Sequence, residues 1–308
     1  LLGHRIHSVM SDAADSEKVV LSWVRPHSRR LGDGQRRNRR GGFLAHFMDE
    51  RSAYDFTEGI LNYKLWGRLG LQEVRRRYRR TVLGPFWASL SMAIFISALG
   101  FLYAKLWGQD PAEYLPFLTT GFLAWIPMAA VIGESATVIV AAGGLCSQMR
   151  LPYTFFTVTM VWRNVIAMMH HTVVYIGVIL IFPVELTESI LLVPIGVLFL
   201  AVNGIWIGLM LGSLCLRFRD VQPLVTNFLQ ILLFVTPIFW PPTLLGERGF
   251  AFINANPFYH FVSTIRDPLI GNTPSMFSYY YLIGVTILGW LLTFIVFPRI
   301  RPKLAYWQ

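Results

Sequence analysis

SILLVPIGVLFLAVNGIWIGLMLGSLCL, residues 189–216, runs for 28 positions without an Asp, Glu, Lys or Arg. A helix needs only about 20 such residues to cross the ~30 Å hydrocarbon layer of a bilayer. A transmembrane β-strand would be about ten residues long and alternate in polarity, and this stretch does neither. It reads as a membrane-crossing helix.

Five more uncharged tracts flank it: residues 81–104, 114–133, 164–184, 221–246 and 268–298. Glu134 interrupts the second, which resumes to about Ala142. Gly271-Asn272-Thr273-Pro274 breaks the last, so its span starts near Ser278. Over 308 residues the chain is 54% hydrophobic and 14% charged, against about 25% charge in soluble domains. The expected fold is an all-α integral membrane protein with six transmembrane helices, residues 81–308 forming the span domain.

Charge orients the spans, because Lys and Arg collect on the cytoplasmic side. Arg75, Arg76, Arg77, Arg79, Arg80, Arg150, Arg217, Arg219, Arg299, Arg301 and Lys303 share one set of span ends. The other set carries Lys105, Arg248 and Arg266 beside Asp110, Glu113, Glu185, Glu188, Glu247 and Asp267. Six spans with both termini in the cytoplasm satisfy every loop.

Ahead of the first span, residues 56–80 place Ile60, Leu61, Leu65, Trp66, Leu69 and Val74 at near-helical spacing, opposite Lys64, Arg68 and the Arg75–Arg80 run. That pattern is an amphipathic helix lying in the membrane interface. Residues 1–55 are polar and basic and read as a disordered tail; the basic runs suit anionic lipid and the cytoplasm rather than nucleic acid. Residues 241–277 are too apolar for a free loop and too broken for a span, which suggests a re-entrant helix pair before the last span.

Several chemistries are absent. The sequence contains no Gly-Lys pair, hence no P-loop, and neither H-E-x-x-H nor G-x-S-x-G occurs. Adjacent His170 and His171 point different ways on a helix and make no metal site. Glu134 and Arg163 are the ionisable residues well inside spans; a structural pair and a transport role both remain open. A membrane-embedded transferase would need acidic or His groups gathered at one face, and the basic face here lacks them. A secondary transporter would show an inverted repeat, and none is visible.

Four segments together resemble the permease subunits of type-2 ABC exporters of lipid-linked polysaccharide. They are Arg77-Tyr-Arg-Arg-Thr-Val-Leu-Gly-Pro-Phe-Trp87, Leu216-Arg-Phe-Arg-Asp-Val221, Thr236-Pro-Ile-Phe-Trp240 and Asn256-Pro-Phe-Tyr-His260 with Arg266. The resemblance covers about residues 60–308 and is nearest to permeases exporting O-antigen or galactan on an undecaprenyl carrier. It implies a bacterial inner-membrane homodimer working with two separate ATPase subunits, which hold the ATP and Mg; no cofactor or metal is expected in this chain. Partners are then the ABC ATPase, a second copy of the chain, the undecaprenyl-linked glycan and membrane lipid. Residues 141–153, bounded by Gly143-Gly144 and Pro152, are expected to form a short helix across the span ends. With Gln148 and Arg150 it would couple to the ATPase. Tyr78, Arg79 and Arg80 are expected to meet the carrier's pyrophosphate, since Arg recognises phosphate well. Phe86, Trp87, Phe95, Phe228, Phe234 and Trp240 are candidate conduit aromatics, offering sugar rings a weakly directional surface. Asn256, Pro257, Tyr259, His260 and Arg266 would belong to the outer gate. Another cargo on the same fold, such as a teichoic acid, drug or lipid, is the alternative.

Overall fold

The architecture, a computed structural model, describes residues 50–149, 151–182 and 184–307. Residues 1–49, the bulk of the expected tail, lie outside the described residues, as does Arg150. The described chain is helical, with no strand.

Two helices, α1 (Glu50–Leu61) and α2 (Tyr63–Arg77), precede the long apolar ones. One amphipathic helix over 56–80 was expected. The chain instead starts its helix at Glu50, breaks it at Asn62 and ends it at Arg77. The break has a local cause. The Asn62 amide donates to the Glu58 carbonyl at 2.7 Å and to its carboxylate at 3.1 Å, so the side chain competes for the backbone acceptor of the preceding turn. Leu65 and Trp66 then restart the helix on the Asn62 carbonyl.

Next come α3 (Phe86–Trp107), α4 (Pro111–Met149), α5 (Tyr153–Ile181), α6 (Val193–Arg217) and, after the shorter pieces, α10 (Met276–Trp307). Five helical segments, Phe86–Trp107, Pro111–Gly143, Tyr153–Ile181, Glu188–Arg217 and Met276–Trp307, are long and apolar enough to cross a membrane. Between α6 and α10 lie α7 (Val221–Val235), α8 (Gly246–Asn254) and α9 (Pro257–Leu269). At 15 residues, α7 is about 22 Å long, short of the ~30 Å hydrocarbon thickness. The uncharged tract 221–246 reads as a single long span, but Pro237, Pro241 and Pro242 remove backbone donors and stop the helix after Val235.

Contacts fix the directions. Val131 meets Gly204 and Ile139 meets Gly212, so α4 and α6 run parallel. Asn203 bonds Thr286, Gly289 lies on Trp206, and Arg217 stacks on Trp307 at 5.2 Å, so α6 and α10 run parallel too. Gly204 meets Val161 and Gly208 meets Thr157, so α5 runs antiparallel to α6 and therefore to α4; Phe95 meets Phe122 and Gly100 meets Leu115, so α3 is antiparallel to α4 as well. The turn between α3 and α4 sits on Gly108, whose φ of 64° returns its N–H to the Ala104 carbonyl; glycine takes this left-handed geometry without a Cβ clash.

Because α6 and α10 are parallel, residues 218–275 must return the chain from the Arg217 end of the bundle to the end where α6 began. α7 makes that journey beside α4, with Leu229 against Gly133 and Ile238 against Gly121. α9 then lies antiparallel to α4, Phe258 near Trp125 and Arg266 over Phe117.

A Cβ on Gly289 would lie 2.2 Å from the Trp206 ring. Gly289→Val is therefore expected to force α6 and α10 apart, at a cost of about 1–3 kcal/mol typical of overpacking. A lowered midpoint of thermal unfolding in detergent, with Gly284→Val as the control facing open space, checks this.

Candidate functional site

Two polar assemblies interrupt the apolar bundle, one towards each end. Near the basic end, Arg163 on α5 sits between two carboxylates. Its Nη2 donates to Glu134 of α4 at 2.5 Å, and its Nη1 donates to Glu73 of α2. Arg77 Nη2 donates to the other Glu134 oxygen at 3.2 Å, and Asn164 Nδ2 adds a bond to Glu134 at 2.9 Å. The series Glu73–Arg163–Glu134–Arg77 alternates in sign and sums to zero, which is how half-buried charges offset their desolvation. It ties α2 to both α4 and α5. The Glu134–Arg163 pair was visible in sequence. Glu73 and Arg77 were not, because on an amphipathic helix they look like any solvated charge.

Beside this network Val74, Arg77, Tyr78, Pro85, Arg163 and His170 line a cavity of about 20 Å³, room for about one water. Ser89 of α3 donates to the carbonyl of the lining residue His170 at 2.9 Å and lies 3.4 Å from His171 Nδ1. His170 Nδ1 lies 2.8 Å from the Ile166 carbonyl. Among the described residues no group of three or more His, Cys, Asp or Glu is arranged to hold a metal.

Of the expected pyrophosphate contacts, Tyr78 caps α2 and lines the cavity. Arg79 and Arg80 are exposed in the turn that follows, Arg80 with a φ of 79°. For a residue other than glycine that conformation costs about 1–3 kcal/mol.

The expected short coupling helix is corrected. α4 continues without interruption through Gly143 and Gly144 to Met149, Gln148 falls in its last turn, and Pro152 caps the start of α5. Paired glycines weaken a helix by about 1 kcal/mol each but do not end one whose flanks are strongly helical.

At the opposite end the chain leaves helix at Thr236 and stays irregular to Trp240. Four consecutive residues are held individually. Asn256 Nδ2 donates to Thr236 Oγ1 at 3.0 Å, and Arg266 Nη1 donates to the Pro237 carbonyl at 2.7 Å. The Ile238 carbonyl lies against Gly121, where a Cβ would come within 2.9 Å, and the Tyr114 hydroxyl donates to the Phe239 carbonyl. Trp240 Nε1 reaches back to the Phe234 carbonyl at 2.9 Å.

α9 supplies most of this clamp. Asn256 caps it, accepting from the Phe258 N–H at 3.0 Å, and Pro257 occupies its first position. Arg266 is 3% exposed, bonded through Nε to Asp267 at 3.1 Å and stacked over Phe117 at 4.7 Å and Tyr259 at 5.9 Å. His260 is fully buried between Ser278 and the Asn254 carbonyl, both at 2.9 Å, with the Tyr281 ring 4.3 Å away. The five residues expected at the outer gate thus form one assembly. Tyr114, Phe117 and Thr236 complete it; Thr236 heads a segment already marked in the sequence, whereas contact across the fold is what reveals Tyr114 and Phe117.

The candidate conduit aromatics occupy two surfaces. Phe86, Trp87 and Phe95 are exposed on α3, and Phe228 and Phe234 on α7; Trp240 is half-buried. Both helices pack on α4, and Leu224, Val225, Asn227, Phe228 and Ile231 line an open apolar groove on α7.

The ABC-2 type transporter family model matches residues 65–270, which include both polar assemblies. The O-antigen export system permease protein RfbA of Myxococcus xanthus is 24% identical over 178 residues, covering 58% of this chain and 68% of that protein. Two proteins of the same name from Klebsiella pneumoniae are 20% and 21% identical over 238 and 243 residues; each match covers 76% of this chain and 91% of the relative.

Arg163→Met would leave Glu73 and Glu134 facing each other without their shared cation, whereas Glu134→Gln removes one charge and keeps an acceptor. Arg163→Met is expected to be the costlier change, by about 2 kcal/mol. Adding Glu134→Gln to it should recover part of the loss. Unfolding midpoints of the three variants check both statements.

Proposed function

Since the chain belongs to the ABC-2 type transporter family and is a multi-pass membrane protein, a transporter subunit rather than an enzyme, we propose that it is the membrane subunit of an ATP-driven exporter of lipid-linked polysaccharide. The cargo would be an O-antigen-like or galactan-like glycan on an undecaprenyl carrier. The observation that carries the reading is the pair of exposed aromatic faces on α3 and α7, in a chain whose relatives are named O-antigen export permeases.

In this reading α7 is the fifth of six crossings. The parallel run of α6 and α10 supports an odd number of crossings between them, and α7, prolonged by Thr236–Trp240, is the segment beside α4 that would make one. α8 and α9 form a hairpin that enters from the outer side and leaves by it. Its irregular neighbour Thr236–Trp240 is tolerable at that depth because side chains satisfy its carbonyls. Both termini and the α4–α5 turn face the cytoplasm of a bacterial inner membrane, in keeping with the positive-inside rule.

Two copies would bring the α3 and α7 faces together around a conduit lined by Phe86, Trp87, Phe95, Phe228, Phe234 and Trp240. Aromatic faces bind sugar rings without fixing their register, which suits a polymer that must slide. Tyr78, Arg79 and Arg80, at the cytoplasmic mouth, would hold the anionic pyrophosphate of the carrier. ATP and Mg act on a separate ATPase chain. That chain would bear on residues 141–153, and α4, continuous over 39 residues, would carry the displacement into the bundle. Asn256, Pro257, Tyr259, His260 and Arg266 would hold the outer exit closed until that displacement arrives.

Depleting the chain in its native host is expected to accumulate lipid-linked glycan on the cytoplasmic face of the inner membrane. Accumulation of a different envelope lipid or polymer there would assign the other cargo, and no accumulation would remove the export reading. Trp87→Ala with Phe228→Ala should slow glycan export at least tenfold while the amount of chain in the membrane holds. Arg266→Lys, which loses the two guanidinium nitrogens that serve the Pro237 carbonyl and Asp267 separately, should make the purified complex leak small solutes in a liposome flux assay.

A further inference from the structure

Asp55 is buried completely, on a helix that also buries Ser52, Phe56 and Gly59. One of its oxygens accepts from the Thr154 backbone N–H at 3.0 Å and from the Thr154 hydroxyl at 2.9 Å. The other accepts from Arg301 Nε at 2.9 Å. Three parts of the chain meet at this one carboxylate: α1, the first turn of α5 and the last turns of α10.

The first N–H groups of a helix have no partner within it, and the helix dipole favours a negative charge beside them. The cap residue of α5 is Pro152, which provides no side-chain cap. Asp55, almost a hundred residues earlier, performs that task from another helix. The approach it requires is built into α1. A Cβ on Gly59 would come within 2.6 Å of the Thr154 Cβ and 2.9 Å of the Phe155 nitrogen, so only glycine allows α1 to lie this close. One residue after Asp55, Phe56 packs on Trp290, Phe294 and Phe297 of α10, with ring centroids 6.1, 5.2 and 5.4 Å away.

An apolar side chain would fill this space without desolvating a charge. What the carboxylate adds is direction, because its two oxygens accept from two different helices and fix the angle between them. α5 begins directly after Leu151 and Pro152, which separate it from the α4 side.

We propose that Asp55 is the positioning residue of the α4–α5 turn, joining the first turn of α5 to the end of α10 so that the two move as one body when the turn is displaced. The inference rests on the reading of residues 141–153 as the segment on which the ATPase bears. It adds the element that receives the motion: α10, at the far end of the chain.

Two measurements test it. In the full-length chain in nanodiscs, with Cys146 and Cys215 replaced by Ser, spin labels at positions 151 and 303 report the spacing between the turn and the end of α10. The parent is expected to give one narrow distance distribution, and Asp55→Asn one at least twice as broad; an unchanged distribution overturns the proposal. In the native strain, Asp55→Asn is expected to cut glycan export per membrane-inserted chain at least fivefold, while ATP hydrolysis by the purified complex stays within twofold of the parent. Chain level and export falling in proportion would mark Asp55 as merely structural and overturn the proposal. Should Asp55→Asn fail to insert, Arg301→Gln, which keeps the cap on α5, decides by the same two readouts. If depletion of the parent chain has no effect on export, the exporter reading fails, and the distance measurement still decides the role of Asp55.

Discussion

A backbone carbonyl or N–H in an apolar layer must find a partner within the protein, since no water is there to serve it. Helices meet that requirement internally, and the chain is helical almost throughout. Thr236–Trp240 is an apolar stretch where it is not. Pro237 interrupts the helix, and Pro241 and Pro242 prevent its prompt return. The released backbone groups have to be bonded by side chains brought from elsewhere. That requirement explains a fully engaged arginine in so apolar a setting: Arg266 loses its hydration and recovers hydrogen bonds to the Pro237 carbonyl and Asp267, with the Phe117 ring beneath it. It also explains why α9 is buried over most of its length. α9 is the scaffold that carries Asn256 and Arg266 to the break, and His260 anchors it to α10 through Ser278.

The charges near the basic end obey a different constraint. Glu73 and Arg77 are about half-exposed and Glu134 and Arg163 are mostly buried, yet the series opens to solvent at both of its ends, so its Coulomb energy is moderated by solvent. Their contribution lies more in geometry than in stability. An arginine held by two carboxylates on two helices fixes where α2 lies on α4 and α5 more sharply than apolar contact would. The apolar contacts there are Trp66 edge-on to Trp162 at 5.8 Å and Gly70 beneath the Trp162 ring. They tolerate sliding, and the charges do not.

Much of this was legible in the residues. Uncharged length located all five long helices, α3 and α6 to within about five residues, because that signal depends on the solvent and little on neighbours; it began α5 at 164 against Tyr153 and ended the last helix near 298 against Trp307. The motif Asn256-Pro-Phe-Tyr-His260 with Arg266 marked α9, and Glu134 and Arg163 stood out as charges within apolar runs. What escaped depends on contacts between distant segments. Asp55 was grouped with a polar tail, since a buried carboxylate and a solvated one look alike until the partners Thr154 and Arg301 are in place. Glu73 and Arg77 were hidden for the same reason among exposed charges. Gly143-Gly144 misled in the other direction: local propensity argued for a break, and the long helix on one side carried through. The end of α7 was missed because charge-free length registers transfer free energy and is blind to the missing donors at Pro237, Pro241 and Pro242.

α4 connects the two assemblies. Tyr114 and Phe117 near its start engage the Phe239 carbonyl and Arg266, Gly121 receives the Ile238 carbonyl, and Glu134 near its middle holds Arg163. A helix of 39 residues resists bending except at Pro116 and Pro127, where a backbone bond is missing. Both prolines lie on the side of Glu134 that leads to the irregular tract. Thr120 returns its hydroxyl to the Pro116 carbonyl at 2.8 Å, and no proline interrupts the helix from Glu134 to Met149. The stiff half of α4 therefore runs from the α4–α5 turn to the charge network, and its compliant half runs from there to the clamp on Thr236–Trp240. In the proposed mechanism a displacement applied at the turn would travel to Glu134 along a stretch free of proline, weakened only at Gly143-Gly144, and would there be divided. Part would go to α2 and α5 through the ion pairs, and part up a hinged rod towards the irregular backbone at Thr236–Trp240.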